Sequence, residues 1–229
     1  MSAKRSKSPS PLDMTLPLYQ GELSAKTLPS GWKMVKLEEV CEINPKISRV
    51  INAEEKVSFI PMKSVGEANG AVDLSEIRNF QAIRKGYTPM QTGDVIFAKI
   101  TPCMENGKIA VLPALENGIG FGSTEFFVLR CKSEQLDNRY LFHLLVQKKF
   151  RQEAARHMTG AVGQRRVPKT FLADYEFPLP SLDEQRRIVE KIEKVFSACD
   201  RLEARLAHAL EQSAVLRQSI LSRAFSGNL

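Results

Sequence analysis

From residue 183 to residue 226, apolar and small side chains return at alternating steps of four and three: Ile188, Ile192, Val195, Cys199, Leu202, Leu206, Ala209, Ser213, Leu216 and Ile220. Charged and polar residues fill most of the intervening positions. This spacing draws one apolar seam along an α-helix and is the heptad signature of a coiled coil. Ser181 or Asp183 can accept the first free backbone N–H groups, and neither Pro nor Gly interrupts the run before Gly227. The element predicted is one helix over 183–225, about 65 Å long at about 1.5 Å per residue. A body of this size cannot cover such a rod along its whole length, so the seam predicts a partner helix, from a second copy or from another protein. Two shorter helices folding back on the body are the competing arrangement, which the unbroken run opposes. Ala209 and Ser213 thin the seam near its centre and suit a close helix crossing or a polar contact.

Residues 29–182 have another texture. Short apolar runs at Val57–Ile60, Val95–Ile100, Lys108–Leu112 and Glu125–Leu129 are bounded by Gly, Pro, Asn and Asp, which predicts strands joined by turns. Gly93-Asp94 and Asn106-Gly107 have the composition of hairpin turns. Asp137 to Met158, with Leu141, Leu144, Leu145 and Phe150, predicts one or two helices, and Tyr175–Phe177 reads as a further strand. Residues 1–28 are rich in Ser, Pro and Lys without a period and read as a basic, flexible arm. The fold class predicted is α+β: a globular mixed domain over 29–182, followed by a long C-terminal coiled-coil helix over 183–229.

Composition narrows the chemistry. With 43% hydrophobic and 26% charged residues, the 229-residue chain has the make-up of a folded domain. Cys41, Cys103, Cys131 and Cys199 are widely separated and form no C-x-x-C pair, which excludes a zinc ribbon, a dense disulfide framework and a thioredoxin-like site. No apolar run is long enough to span a bilayer, and the basic start leads into no apolar signal core, so a cytoplasmic protein with no membrane partner is expected. The net charge of +7 is unevenly spread. Lys148, Lys149, Arg151, Arg156, Arg165, Arg166 and Lys169 stand against Glu153 alone, whereas residues 183–229 are nearly balanced. A local basic excess points to a polyanionic partner.

Catalytic signatures fail one by one. Gly118-Ile119-Gly120-Phe121-Gly122 could cradle a cofactor only if a helix followed, and the residues after it read as a strand, so a turn is expected there. Glu54-Glu55-Lys56 lacks the preceding Asp of a nuclease metal site and reads as an exposed turn. His143, His157 and His208 have no partner at ligand spacing, and no cysteine has a neighbouring base. No catalytic residue, metal site or cofactor is therefore expected. What remains is binding. Gln164, Arg165, Arg166 and Lys169 belong to a Gly-rich basic loop; Lys99, Thr101 and Lys108 belong to a second loop, and Lys63 and Ser64 to a third. Gln and Arg match adenine and guanine edges, whereas Lys and surplus Arg suit phosphates.

Leu28-Pro29-Ser30-Gly31-Trp32 followed by Val35-Lys36-Leu37-Glu38-Glu39-Val40 resembles the opening of a target recognition domain in the specificity subunits of type I restriction-modification enzymes. Gly93-Asp94-Val95-Ile96-Phe97-Ala98-Lys99-Ile100-Thr101-Pro102 is similar to the central strands of that family. Phe177-Pro178-Leu179-Pro180-Ser181-Leu182-Asp183-Glu184-Gln185-Arg186-Arg187-Ile188-Val189 resembles the start of its long helix, with Ser181 in place of the usual second proline. The resemblance covers residues 28–225 and implies a sequence-specific reader of double-stranded DNA, itself non-catalytic. Such a reader directs DNA methyltransferase subunits and a restriction and translocation subunit to a bipartite site. Members of the family usually carry two recognition domains and two long helices; this sequence holds one of each, and so looks like a half-subunit or one half of a longer chain. Antiparallel pairing of two copies through Ile188, Ile192, Val195, Leu202, Leu206, Leu216 and Ile220 would restore a two-fold symmetric reader, with the helix setting the spacing. A recognition module of another DNA-modifying complex, and a coiled-coil adaptor whose basic patch is incidental, are the alternatives.

Overall fold

The structure is a computed structural model that describes residues 28–227. All but the last residue of the arm expected over 1–28 lies outside that range. The chain divides into two compact units, the first ending at Val189 and the second beginning at Glu190.

The first unit is built on two four-stranded sheets. One has the order β2 (Cys41–Ile43), β9 (Phe126–Cys131), β6 (Val95–Ala98), β7 (Ile109–Val111), antiparallel throughout. The other runs β4 (Ile77–Asn79), β3 (Lys56–Ile60), β8 (Ile119–Gly122), β5 (Thr88–Gln91), with β3 and β8 parallel. A two-stranded ribbon joins β1 (Lys33–Lys36) to β10 (Glu176–Leu179) and so ties the start of the unit to its end.

Strands β6 and β9 explain the layering. Successive side chains leave a strand on opposite faces. Val95, Phe97, Phe127 and Leu129 face a core shared with α3 (Asn138–Leu145) and α4 (Lys148–Arg156) through Leu141, Leu145 and Phe150. Ile96, Ala98, Phe126 and Val128 face a second core with Ile60, Met90 and Leu112. The first sheet is therefore buried on both faces, which is why its central runs are apolar without alternation. A third cluster, Val57, Phe59, Ile119 and Phe121, packs with Ile83 of α2 (Phe80–Ile83). Two short helices, α1 (Leu37–Val40) and α5 (Lys169–Ala173), complete the unit.

Three local expectations need correction. Gly93-Asp94 does not close a hairpin: β5 and β6 lie in different sheets, and the turn is the corner between them. Asp94 is buried there, accepting the Gln91 N–H at 2.7 Å and both forks of Arg130 at 2.8 Å. Asn106-Gly107 ends a wide connection over 99–108 rather than a tight turn; the connection coils on itself, with Met104 N–H donating to Ile100 and Asn106 N–H to Pro102. Of the run 118–122, Gly118 ends a short turn and Ile119–Gly122 form the strand β8. It is glycine-rich because β3 passes so close: a Cβ on Gly122 would sit 2.5 Å from the Ile60 carbonyl oxygen.

The helix α6 (Leu182–Phe225) is unbroken over 44 residues. Its first turns belong to the first unit, where Val189 is buried and Ile188 packs partly against the core. Gln185 is fully buried: its Oε1 accepts the Asp137 N–H at 2.8 Å, and its Nε2 donates to the carbonyls of Gln135 and Pro180, each at 2.9 Å. In the second unit the helix bares its apolar positions. Val195, Leu202, Leu206, Leu216 and Ile220 are exposed, and so are Leu210 and Leu221 beside them.

Candidate nucleic-acid interface

The three loops singled out by their basic residues are neighbours in space. Residues 61–70 follow β3, residues 99–108 join β6 to β7, and residues 157–168 join α4 to α5. One backbone and one side-chain hydrogen bond stitch the first to the second: Ala68 N–H donates to the Gly107 carbonyl at 2.9 Å, and Asn106 Nδ2 donates to Glu67 Oε1 at 2.9 Å. The second is stitched to the third by Thr101 N–H to the Arg165 carbonyl (3.0 Å) and Val167 N–H to the Lys99 carbonyl (2.8 Å). A reciprocal pair between Thr159 and Arg166 closes the third loop on itself.

Within this edge the expected contact residues separate into roles. Lys108 is committed internally: its Nζ donates to the carbonyls of Met62 and Val65 at 3.1 and 2.8 Å. Ser64 is buried in the turn that Lys108 braces, its carbonyl accepting the Asp73 N–H. Lys108 thus spends two of its three N–H donors on the fold, and the burial of Ser64 gives it a structural part in the same turn. Thr101 turns its hydroxyl to Glu105 Oε1 at 3.0 Å. Lys63 is exposed, with Glu76 at 2.9 Å, and Lys99 is half-buried with its ammonium 5.1 Å above the Phe127 ring. Gln164, Arg165 and Lys169 are exposed, Arg165 coming within 3.9 Å of Glu105. Arg166 makes a forked pair with Glu125, Nε to Oε2 at 2.9 Å and Nη2 to Oε1 at 2.7 Å. That hydrogen-bonded guanidinium holds the Glu125 carboxyl below its ordinary range.

The carboxylates that organise this edge, Glu105 and Glu125, carry no sequence signal, since Glu125 meets its arginine only across 41 residues of chain. Behind the loops, Arg151 of α4 is buried and donates to the carbonyls of Val146 and Glu105. His143 of α3 is mostly buried, which with the nearby Arg139 cation pushes its imidazole down to about 4 and keeps it neutral. Among the described residues no group of three or more His, Cys, Asp or Glu is placed to hold a metal ion, and no helix is long and apolar enough to cross a membrane.

A mixed two-sheet domain that gathers basic loops on one edge and ends in a long helix has a recognisable class. Residues 29–212 match the family described as type I restriction modification DNA specificity domain, and the chain belongs to that family. It is 37% identical over 206 residues to the EcoAI specificity subunit of Escherichia coli, a match covering 90% of this chain and 35% of that one. With the EcoEI specificity subunit, also of Escherichia coli, it shares 36% identity over 195 residues, covering 85% and 33%. Among solved structures it is similar to the HsdS subunit from Thermoanaerobacter tengcongensis, with a TM-score of 0.70 and 26% identity over 84% of this chain and 49% of the other. The chain thus spans about a third of the length of these curated relatives.

Proposed function

We propose that this chain is a non-catalytic DNA-recognition component of a type I restriction-modification assembly in the cytoplasm. It reads duplex DNA with the edge formed by residues 61–70, 99–108 and 157–168, and brings methyltransferase and restriction subunits to the site. The observation that carries the reading is the convergence of three separate basic loops on one edge of a domain of this family. Lys63, Lys99, Arg165 and Lys169 supply charge for phosphates, and Gln164 supplies a side chain with the donor and acceptor of an adenine reader. A bipartite site needs a second recognition domain. The exposed seam of α6 from Val195 to Ile220 supports a second copy paired antiparallel as its source.

The test pairs binding with methylation. The chain alone, given methyl donor, ATP and magnesium, neither methylates nor cuts DNA; with a methyltransferase subunit it produces sequence-specific methylation. Replacing Lys99 and Arg165 by Ala lowers the affinity and flattens its salt dependence by about two units of slope. Turnover by the isolated chain, or an unchanged slope, refutes the reading.

A further inference from the structure

Residues 159–166 form a finger with an unusually well-held base. The Arg166 backbone pairs with Thr159 on one side and Ile100 on the other. Its guanidinium spends Nε and Nη2 on Glu125 and donates from Nη1 to the Gln164 carbonyl at 3.1 Å. The forked edge with which an arginine grips guanine or phosphate is thus filled by Glu125, a residue on the neighbouring β8–β9 connection.

The apex is the opposite. Ala161, Val162, Gly163, Gln164 and Arg165 are all exposed, and Val162 is 100% so. Gly160 and Gly163 bracket Ala161 and Val162 at φ of 116° and 81°, backbone angles that a side chain rarely tolerates, and Gln164 N–H closes the turn on the Ala161 carbonyl at 3.0 Å. A valine held out in water at the tip of a basic loop has the chemistry to meet the C5-methyl group of thymine, as Gln164 has to meet adenine.

We infer that Glu125 is a positioning residue for sequence discrimination: through Arg166 it holds the 159–166 finger so that Val162 and Gln164 meet base edges while Arg165 rests on a phosphate. This rests on the DNA-recognition reading above. Glu125 itself touches no DNA, and Arg166 serves the finger's base. Losing a phosphate contact weakens binding to every sequence and lowers the salt slope, whereas a loosened finger keeps the slope and loses preference. The two are separable observables.

The full chain is selected against a library of random-sequence duplexes, and affinities are then measured on the enriched duplex and its single-base variants. Glu125→Gln is expected to keep the salt slope and lose roughly tenfold in discrimination at the positions the finger reads. The exchange of Glu125→Arg with Arg166→Glu rebuilds the pair in reverse and is expected to return most of that preference. Val162→Ser changes the preference at one A·T position without changing the slope. Full discrimination in Glu125→Gln, or no recovery in the exchange, overturns the positioning role. An Arg165→Gln variant with unaltered affinity and slope shows instead that the finger is not on DNA at all, and the recognition reading fails with it.

Discussion

The loop edge and the second unit's helix use their side chains in opposite ways. At the loop edge, polar side chains find partners far away in sequence: Lys108 with the Met62 and Val65 carbonyls, Asn106 with Glu67, Arg166 with Glu125. Beyond Glu190 the backbone hydrogen bonds are those of the helix itself; Ile192 and Cys199 are half-buried, and from Leu202 to Leu221 the large apolar side chains stand exposed. The edge is a shape that only the folded domain can produce. The helix is a shape that local sequence produces, with its apolar positions left exposed along most of its length. On the proposed function, a substitution at the edge is expected to alter what is recognised, and one on the helix seam what is assembled.

The largest effect expected is on assembly. Replacing Leu202 and Leu206 by Lys places like charges in the seam and should weaken self-association by a hundredfold or more, about 3 kcal/mol, measured by sedimentation equilibrium. The domain's unfolding midpoint should stay where it was, since neither side chain contributes to its cores. An unchanged association constant would remove the seam from the interface.

Gln185 is the counter-case on the same helix. Gln185→Ala strips the Asp137 N–H and the Gln135 and Pro180 carbonyls of a buried partner. The expected loss is about 3 kcal/mol of domain stability by denaturant titration, because each orphaned buried group costs about 1–3 kcal/mol. A loss below that of an ordinary surface substitution would contradict the role of this residue as the domain's latch on α6.

The smallest effect is a pH dependence confined to the domain. His143 is held neutral by burial, with a folded value of about 4 against an ordinary 6.5. The unfolded chain binds the extra proton across that window, so stability is present above about pH 6.5 and is lost as pH falls toward 4. Between pH 7 and 5 the loss should be about 1 kcal/mol after allowance for partial solvation. His143→Gln should flatten that slope while leaving the helix association untouched.

Much of the architecture was legible because it is local. The heptad spacing from Ile188 to Ile220 requires a long helix whatever surrounds it, and α6 follows within a residue of the expected bounds. Apolar runs located β3, β6, β7 and β9. The misjudged places are those where a distant neighbour decides. Gly120 and Gly122 are small because β3 lies against them, and Asp94 turns a corner because Arg130, 36 residues on, meets its carboxylate.

The candidate interface shows the same division. Its basic residue types, and their grouping into three loops, could be read from the chain; their convergence could not. Nothing local distinguishes Lys108, which braces the carbonyls of Met62 and Val65, from Lys63, which lies exposed beside Glu76, since both are lysines in polar loops. Sequence alone determined the helix, the principal strands and the basic character of the loops, because periodicity and composition act over a few residues. Only the tertiary structure decided which cations are free and which carboxylates hold them, because those pairings close across tens of residues and exist only once the two sheets have packed.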